Sequence, residues 1–438
     1  MSLKRILHVA ATSVPFSNGY TMRLRSLVEQ QRARGLEPTV ITSPFYPGRL
    51  EPPEPRAYED VMHHRCRHPA ETGGGGAWGA AVRGLRGLQR SAGPLRAVAP
   101  ASIVLEERLL LRRFAAQIRA VAGAERADLI HAHTPYRCGL PAQQVARRLG
   151  LPCVYEVRGI WEDTAVADGN LSHGGAGYRY VRGREDVALR GADAVVAICE
   201  SLAAEVRDRG AAPARTFVAP NGADLPRLDA ATDRARASAA AMRATLPAGD
   251  VLGYVGSVRP LEGVGELVEA VASMRAAGRA VVGVVVGDGP SLPALREQAR
   301  RLGVADAVAF PGRVPPADVG AYYDLIDVFV VSRGSSRVTD LVTPIKPLEA
   351  MGRGKAVVMS NLPALRELGE PGDAARFYAA GSVSDLVAVA ARLLDDRAAR
   401  VELGARARAW VAHERTWSRS LDATLVAYDA AAQHAASR

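Results

Sequence analysis

The stretch TDLVTPIKPLEAMGRGKAVV, Thr339–Val358, is the one from which the rest of the chain is read. Pro344 and Pro347 open a short helix-forming run, and Gly352 and Gly354 close it. Proline suits the first helical turn, whose N–H groups lack internal partners. Glycine suits the position just past a helix end. The segment therefore predicts a loop, a very short helix, a turn and a buried strand over Lys355–Ser360. A helix so short gains little from its own hydrogen bonds. Its free N–H groups and the positive end of its dipole favour an anion. Lys346 adds a charge there, and Glu349, one turn in, can accept from neutral hydroxyls. Phosphate with hydroxyls suggests a nucleotide. An ordinary helix-to-strand connection with a surface lysine accounts for the same residues, since proline before a helix is common.

Outward from this stretch, short apolar runs alternate with helical patterns. Strands are predicted at Arg5–Ala10, Pro38–Ser43, Leu129–His133, Pro152–Val157, Ala194–Ile198 and Thr216–Ala219. A second set is predicted at Val251–Gly256, Val281–Gly287, Val308–Pro311, Val328–Ser332, Lys355–Ser360 and Arg376–Ala379. Most are β-branched runs closed by Gly, Pro, Ser or Asp. Helices are predicted between them, among others over Arg23–Arg34, Leu140–Leu149, Val264–Ala276 and Ser291–Leu302. Such alternation marks parallel sheets covered by helices. It occurs twice, so the expected fold class is α/β with two doubly wound domains. The pattern breaks near Gly222–Asp250, which places the domains at 1–222 and 223–412. Ligands of open α/β sheets bind beyond the carboxyl ends of the strands, so the anion site should face the cleft between the domains.

Composition limits the alternatives. With 438 residues, 48% hydrophobic and 23% charged, the chain reads as a globular protein of more than one core. The formal net charge of +10 suits an acidic ligand, a nucleic acid or an anionic membrane surface. No basic and aromatic platform supports nucleic-acid binding. No G-x-G-x-x-G follows the first strand of either half, which disfavours a hydride-transfer enzyme. Cys66, Cys138, Cys153 and Cys199 show no zinc spacing and read as reduced, mostly core thiols, with Cys138 or Cys199 expected to lie exposed near a loop. The N-terminal run is too short for a signal-peptide core, and no apolar window is long enough for a membrane span, so a cytoplasmic protein is expected. Glu71–Pro100 carries Arg83, Arg86, Arg90 and Arg96 with no acidic residue after Glu71. It reads as a solvated helix after a glycine loop, or as a peripheral contact with an anionic membrane.

The segments SVPFSNGYTMR, GNLSHGG, VAPNGAD, YVGSVRPLEG, VVGDGP, FPGRVPPADV and TPIKPLEAMGRGKAVVMS together resemble the family 4 retaining glycosyltransferases, which have the GT-B fold of two facing Rossmann-like domains. HAHTPYRCGLPA, VYEVRGIWED and RVTDLVTPIKPLEAM are similar to the subgroup associated with exopolysaccharide and exosortase gene clusters. The resemblance covers nearly the whole chain and does not identify either sugar. It implies a nucleotide-diphosphate sugar as donor, no further cofactor, no metal, and transfer with retention to a lipid-linked sugar or a small-molecule acceptor, in the cytoplasm or at the inner membrane face. It also implies a last helix, about 413–436 with Trp417, that crosses back to the first domain.

Residue by residue, Glu349 matches the second glutamate of the family's paired motif and would hold the donor ribose. The first glutamate would fall at Leu341, a departure that bears on sugar recognition. Backbone N–H groups at Val342 and Thr343 would meet sugar and phosphate. The family's Arg and Lys after the first strand of the second domain are replaced by Ser257 and Glu262, leaving Lys346 first, then Arg259, Arg333 and Arg337, to stabilise the leaving diphosphate. Arg313 and Val314 would edge the base, and Asp288 would belong to a tight turn. In the first domain, Gly19 with Asn18 and Tyr20 would approach phosphate or acceptor. Arg158 stands where the family often has an active-site histidine; it binds anions but is a poor base. Glu162 and Asp163 would supply carboxylates and His133 a cleft imidazole, whereas His131 reads as buried. The departures at Leu341, Ser257 and Glu262 also motivate a second reading, a non-catalytic nucleotide-sugar-binding protein on the same scaffold.

Overall fold

The computed structural model describes residues 3–16, 18–46, 56–66, 68, 80–82, 84–86, 99–230 and 232–438. The first domain contains β1 (Arg5–Ala10), β2 (Glu37–Thr42), β3 (Arg56–Tyr58), β4 (Val61–Arg65), β5 (Leu129–His133), β6 (Cys153–Val157), β7 (Ala194–Ala197) and β8 (Thr216–Val218). They form one sheet in the order β3-β4-β2-β1-β5-β6-β7-β8. Every pairing is parallel except that of β3 with β4. The second domain contains β9 (Asp250–Val255), β10 (Val281–Val286), β11 (Val308–Gly312), β12 (Val328–Val331), β13 (Ala356–Ser360) and β14 (Arg376–Tyr378). These form a parallel sheet in the order β11-β10-β9-β12-β13-β14.

Each strand predicted from the sequence exists, displaced by no more than a residue at either end. The runs of Val, Ile and Ala are buried on both faces, as helices on either side of a parallel sheet require. The strands that the sequence did not disclose are β3 and β4. β3 is a three-residue edge strand, and β4, VMHHR, carries adjacent histidines that dilute its apolar signal. In both sheets the order reverses beside the first strand, between β1 and β5 and between β9 and β12. Those reversal points open a crevice at the carboxyl ends of the strands.

The segment expected to break the pattern, Gly222–Asp250, forms the helices Leu225–Asp229 and Thr232–Thr245. The chain passes between the domains at two adjacent places. The Ala223 N–H donates to the Arg415 carbonyl at 2.7 Å, so the outgoing and returning strands of chain run side by side. Helix Arg397–Glu414 packs on the second domain. Helix Trp417–Ala436 returns to the first sheet, where Ala427, Tyr428 and Ala431 pack with Ile6, Leu129, Val154 and Val196.

A strap leaves β12 at Ser332, forms the short helix Arg337–Leu341 capped by Ser336, and lies against the first domain. Leu341 and Val342 pack on the first domain's core cluster, and the Cys199 thiol donates to the Leu341 carbonyl at 3.1 Å. The packing on the first domain's cluster accounts for the apolar residue at position 341. All four cysteines are buried, including Cys138 and Cys199, which corrects the expectation that one lies open near a loop. Among the described residues no helix is long and apolar enough to cross a membrane. Arg83, Arg90 and Arg96 lie outside the described residues, while Arg86 pairs with Glu106 at 2.9 Å.

Candidate active site

The second domain presents the helix Lys346–Gly352, with Pro347 in its first turn and no side-chain cap. Lys346 Nζ lies 2.7 Å from Glu349 Oε2, and the buried Tyr323 hydroxyl donates to the same oxygen at 2.8 Å. The tyrosine fixes the carboxylate, while the lysine, 42% exposed, is free to turn toward an anion. One turn of helix therefore holds an acceptor for hydroxyls next to a cation for phosphate.

Arg333, at the end of β12, is almost fully buried and forms a two-pronged pair with Glu262. Nε to Oε2 is 2.9 Å and Nη2 to Oε1 is 2.8 Å. Its Nη1 donates to the Val342 carbonyl at 3.1 Å, tying β12 to the strap. Gly263 makes the pairing possible. It sits at φ 63°, and a β-carbon there would overlap the Ser332 carbonyl oxygen, so the loop bearing Glu262 can lie directly on β12. The glutamate at position 262 is thus the partner of the buried Arg333. Arg259 reaches across the cleft to Asp168 of the first domain. Arg313 is exposed and Val314 packs on the second core.

In the first domain, β6 carries Glu156 into the core and ends beside Arg158. Arg158 Nε pairs with Glu156 Oε1, its Nη1 donates to the Tyr20 carbonyl at 2.7 Å, and its Nη2 lies 2.7 Å from His133 Nδ1. Arg23 Nε donates to the same Glu156 Oε1 at 2.9 Å, and Arg23 also binds the Ala219 and Pro220 carbonyls and Asn221. The Asn221 amide in turn donates to the Thr343 carbonyl of the strap at 3.1 Å. Burial alone would push the Glu156 carboxyl up, but the Arg158 and Arg23 guanidiniums outweigh it and hold it well below the usual carboxylate range. The Tyr20 hydroxyl is pushed up by burial against the opposing pull of Arg158 and Arg259.

Behind Arg158 lie three buried imidazoles. His8 Nδ1 is 3.0 Å from His133 Nε2, and His8 Nε2 is 2.8 Å from Gln31 Oε1. The Gln31 amide donates to the Tyr428 hydroxyl at 2.8 Å, and that hydroxyl is 2.7 Å from His131 Nδ1. His131 Nε2 faces Glu156 Oε2 at 3.4 Å. Among the described residues, His8, His131 and His133 are the one group of three whose possible metal ligands lie within 4.8 Å of one another. Both nitrogens of His8 and of His133 already hold hydrogen bonds, and the nearby Arg158 and Arg23 charges oppose a further cation. The donor set does not fit a resident metal.

Several sequence expectations change here. His133 is 1% exposed and touches Arg158 instead of facing the cleft. Glu162 is fully buried in the first turn of helix Trp161–Ala167, 2.8 Å from Arg209. Asp163 accepts from the Tyr178 hydroxyl at 3.1 Å and meets Arg337 of the strap at 3.3 Å, so it joins the domains. The Asn18 side chain caps helix Gly19–Ala33 by accepting from the Thr21 N–H at 2.8 Å. Gly19 is exposed and a β-carbon on it would meet nothing within 4 Å, so packing does not demand a glycine there. Sequence reasoning missed Arg23, Gln31, Glu156 and Tyr428. Only Glu156, a carboxylate inside the apolar run CVYEV, left a local signal.

The family described as glycosyl transferase 4-like domain matches residues 18–222, and that described as glycosyl transferases group 1 matches residues 249–396. A GDP-mannose-dependent alpha-(1-6)-phosphatidylinositol monomannoside mannosyltransferase of Mycobacterium tuberculosis is 33% identical over 161 residues, 36% of this chain and 42% of that relative. The chain thus spans less than half of that relative's length. A D-inositol 3-phosphate glycosyltransferase of Acidothermus cellulolyticus is 30% identical over 331 residues, 72% of this chain and 70% of that relative. The solved sucrose-phosphate synthase of Thermosynechococcus elongatus superposes with a TM-score of 0.71 at 18% identity, over 97% of this chain and 98% of that one. With two facing parallel-sheet domains, matches to both halves and a relative matched along most of its length, the chain belongs to the family 4-like glycosyltransferases of the GT-B fold.

Proposed function

We propose that the protein transfers a sugar, with retention and without a metal, from a nucleotide-diphosphate sugar to an acceptor held against the first domain. The observation that carries this reading is the meeting of Gly159 with the strap. A β-carbon on Gly159 would lie 3.0 Å from the Tyr20 hydroxyl and 4.0 Å from Val342 Cγ2. Arg158 and Tyr20 therefore stand next to the segment that leads directly into Lys346 and Glu349. In this reading Glu349 accepts from the ribose hydroxyls, and Lys346 turns from Glu349 to the diphosphate. Arg259 adds charge, and Val342 and Thr343 line the sugar. Arg313 and Val314 edge the base. The acceptor oxygen bonds to the anomeric carbon as the carbon–phosphate oxygen bond breaks, and the acceptor proton passes to the leaving phosphate. Arg158 stays charged and takes no proton; it stabilises negative charge. A donor like the GDP-mannose in the mannosyltransferase's name, and a lipid-linked or cyclitol-like acceptor, fit the relatives' activities. An acceptor of the exopolysaccharide-building subgroup at the membrane face fits as well.

The test is a titration with UDP, GDP, dTDP and ADP sugars, reading thermal stability and release of nucleoside diphosphate. One nucleotide should stabilise the protein selectively. Glu349→Ala should weaken that binding by roughly 1–3 kcal/mol. Lys346→Ala should lower turnover more than binding, because charge grows on the leaving group. Binding without turnover by any acceptor would favour a nucleotide-sugar-binding protein, and no response to any nucleotide would remove the reading altogether.

A further inference from the structure

The buried imidazoles lie on a ring of contacts that begins and ends at Arg158: hydrogen bonds lead from Arg158 to His131, and His131 Nε2 then faces Glu156 at 3.4 Å. Arginine has only donors, so Arg158 Nη2 must donate to His133 Nδ1. His133 then carries its proton on Nε2 and donates to His8 Nδ1. His8 in turn carries its proton on Nε2 and donates to Gln31 Oε1. The Gln31 amide N–H donates to the Tyr428 hydroxyl, which keeps its own hydrogen for His131 Nδ1. The His131 proton is left on Nε2, facing Glu156, the carboxylate that also holds Arg158 Nε. From Arg158 through His133, His8, Gln31 and Tyr428 to His131 every hydrogen bond runs in one sense, while Arg158 Nε donates to Glu156 at the other end. Reversing the His133–His8 or the His8–Gln31 link would put an N–H of His133 against an N–H of Arg158. Burial supports neutral rings, since it lowers His8 to about 3 and moves His131 and His133 in the same direction.

The ring joins residues of β1, helix Gly19–Ala33, β5 and β6 to Tyr428 on the last helix, which reaches the first sheet only after the chain has traversed the second domain. We propose that Tyr428 is a positioning residue for Arg158: by holding Gln31 and His131 in one orientation, it fixes how the guanidinium sits between Glu156, His133 and the Tyr20 carbonyl. The inference rests on the sugar-transfer reading for the role of Arg158, but the ring itself can be read without activity. Packing alone would account for a buried tyrosine; it would not require a single polarity through three histidines.

The experiment uses the full chain labelled with nitrogen-15. At pH 7, long-range proton–nitrogen spectra should show His8, His131 and His133 as neutral Nε2–H tautomers. Tyr428→Phe keeps the ring's packing and removes its hydroxyl. It should alter the His131 signals and speed exchange of the Arg158 Nε–H with solvent by about tenfold. Affinity for the bound nucleoside diphosphate should stay unchanged while nucleotide-sugar turnover falls by about tenfold. Gln31→Met breaks the adjacent link and should give the same pattern, with the double variant no worse than either single one. A His133 Nδ1–H tautomer in the parent protein overturns the proposal. So does a Tyr428→Phe protein that melts earlier but keeps the parent's Arg158 exchange rate and turnover, or a double variant whose losses add. If the parent turns over no nucleotide sugar, the functional reading falls, while tautomers and exchange still decide the ring.

Discussion

Replacing Glu262 by glutamine removes one charge from a buried pair and leaves its shape. Arg333 and Glu262 are 8% and 12% exposed in their side chains and share two bonds of 2.8 and 2.9 Å. Stripping one partner from a buried ion pair costs about 3–5 kcal/mol, because the other charge stays desolvated. The amide oxygen of glutamine still accepts one of the two bonds, and Arg333 keeps its bond to the Val342 carbonyl. The expected loss is therefore about 2–3 kcal/mol. In a domain of this size that is a fall of roughly 5–10 °C in melting temperature. Binding should move the other way. An anion seated at the strap replaces the missing charge, so a nucleoside diphosphate should bind Glu262→Gln about tenfold more tightly than the parent and restore part of its stability. Calorimetric titration with UDP and GDP, beside melting curves with and without nucleotide, reads both effects. Unchanged stability would refute the reasoning about the pair. Weaker nucleotide binding would refute the idea that Glu262 neutralises Arg333, and would make Glu262 itself a donor-binding group.

Acid should destabilise the fold through His8. Its folded value of about 3 lies below the ordinary 6.5, so the stability it contributes is full above pH 6.5 and is lost as pH falls toward 3. By pH 4.5 the loss from His8 alone is roughly 3 kcal/mol, visible as a lower urea midpoint than at pH 7, and His8→Gln should flatten that slope. Glu367 caps helix Glu200–Asp208 from the second domain, accepting from the Glu200 N–H at 2.8 Å and the Ser201 N–H at 2.7 Å, where Cys199 offers no side-chain cap. Glu367→Ala should cost about 1–2 kcal/mol, drawn from the contact between the domains. A larger radius of gyration in small-angle scattering is the expected result, and an unchanged profile with an unchanged melting point contradicts it.

What the sequence disclosed and what it hid follow from the range of the interactions. The strands are local runs of Val, Ile and Ala, so their positions and the two-sheet architecture were readable. β4 escaped because His63 and His64 interrupt its apolar alternation. The short helix at Lys346 was readable from its prolines and glycines. The surroundings of Arg158 were not, because they are assembled from β1, β5, the first helix and the last one, more than a hundred residues apart in several cases. Glu162 misled because an acidic residue just past a strand end looks exposed to a cleft. The turn of helix that carries it instead rotates it beneath Arg209. Leu341 seemed a lost ligand; its neighbours show an apolar contact with the other domain.

The seat of Leu341 and Val342 sets a limit on recombination. The strap belongs to the second half of the chain by sequence, yet its apolar face is complementary to the first half. A chimera joining this N-terminal half to a C-terminal half whose strap carries a glutamate at position 341 would meet that limit. That would press a carboxylate against the apolar cluster on which Leu341 packs. Grafts intended to exchange donor preference should therefore take residues 333–345 from the recipient, and exchange the sequence on either side.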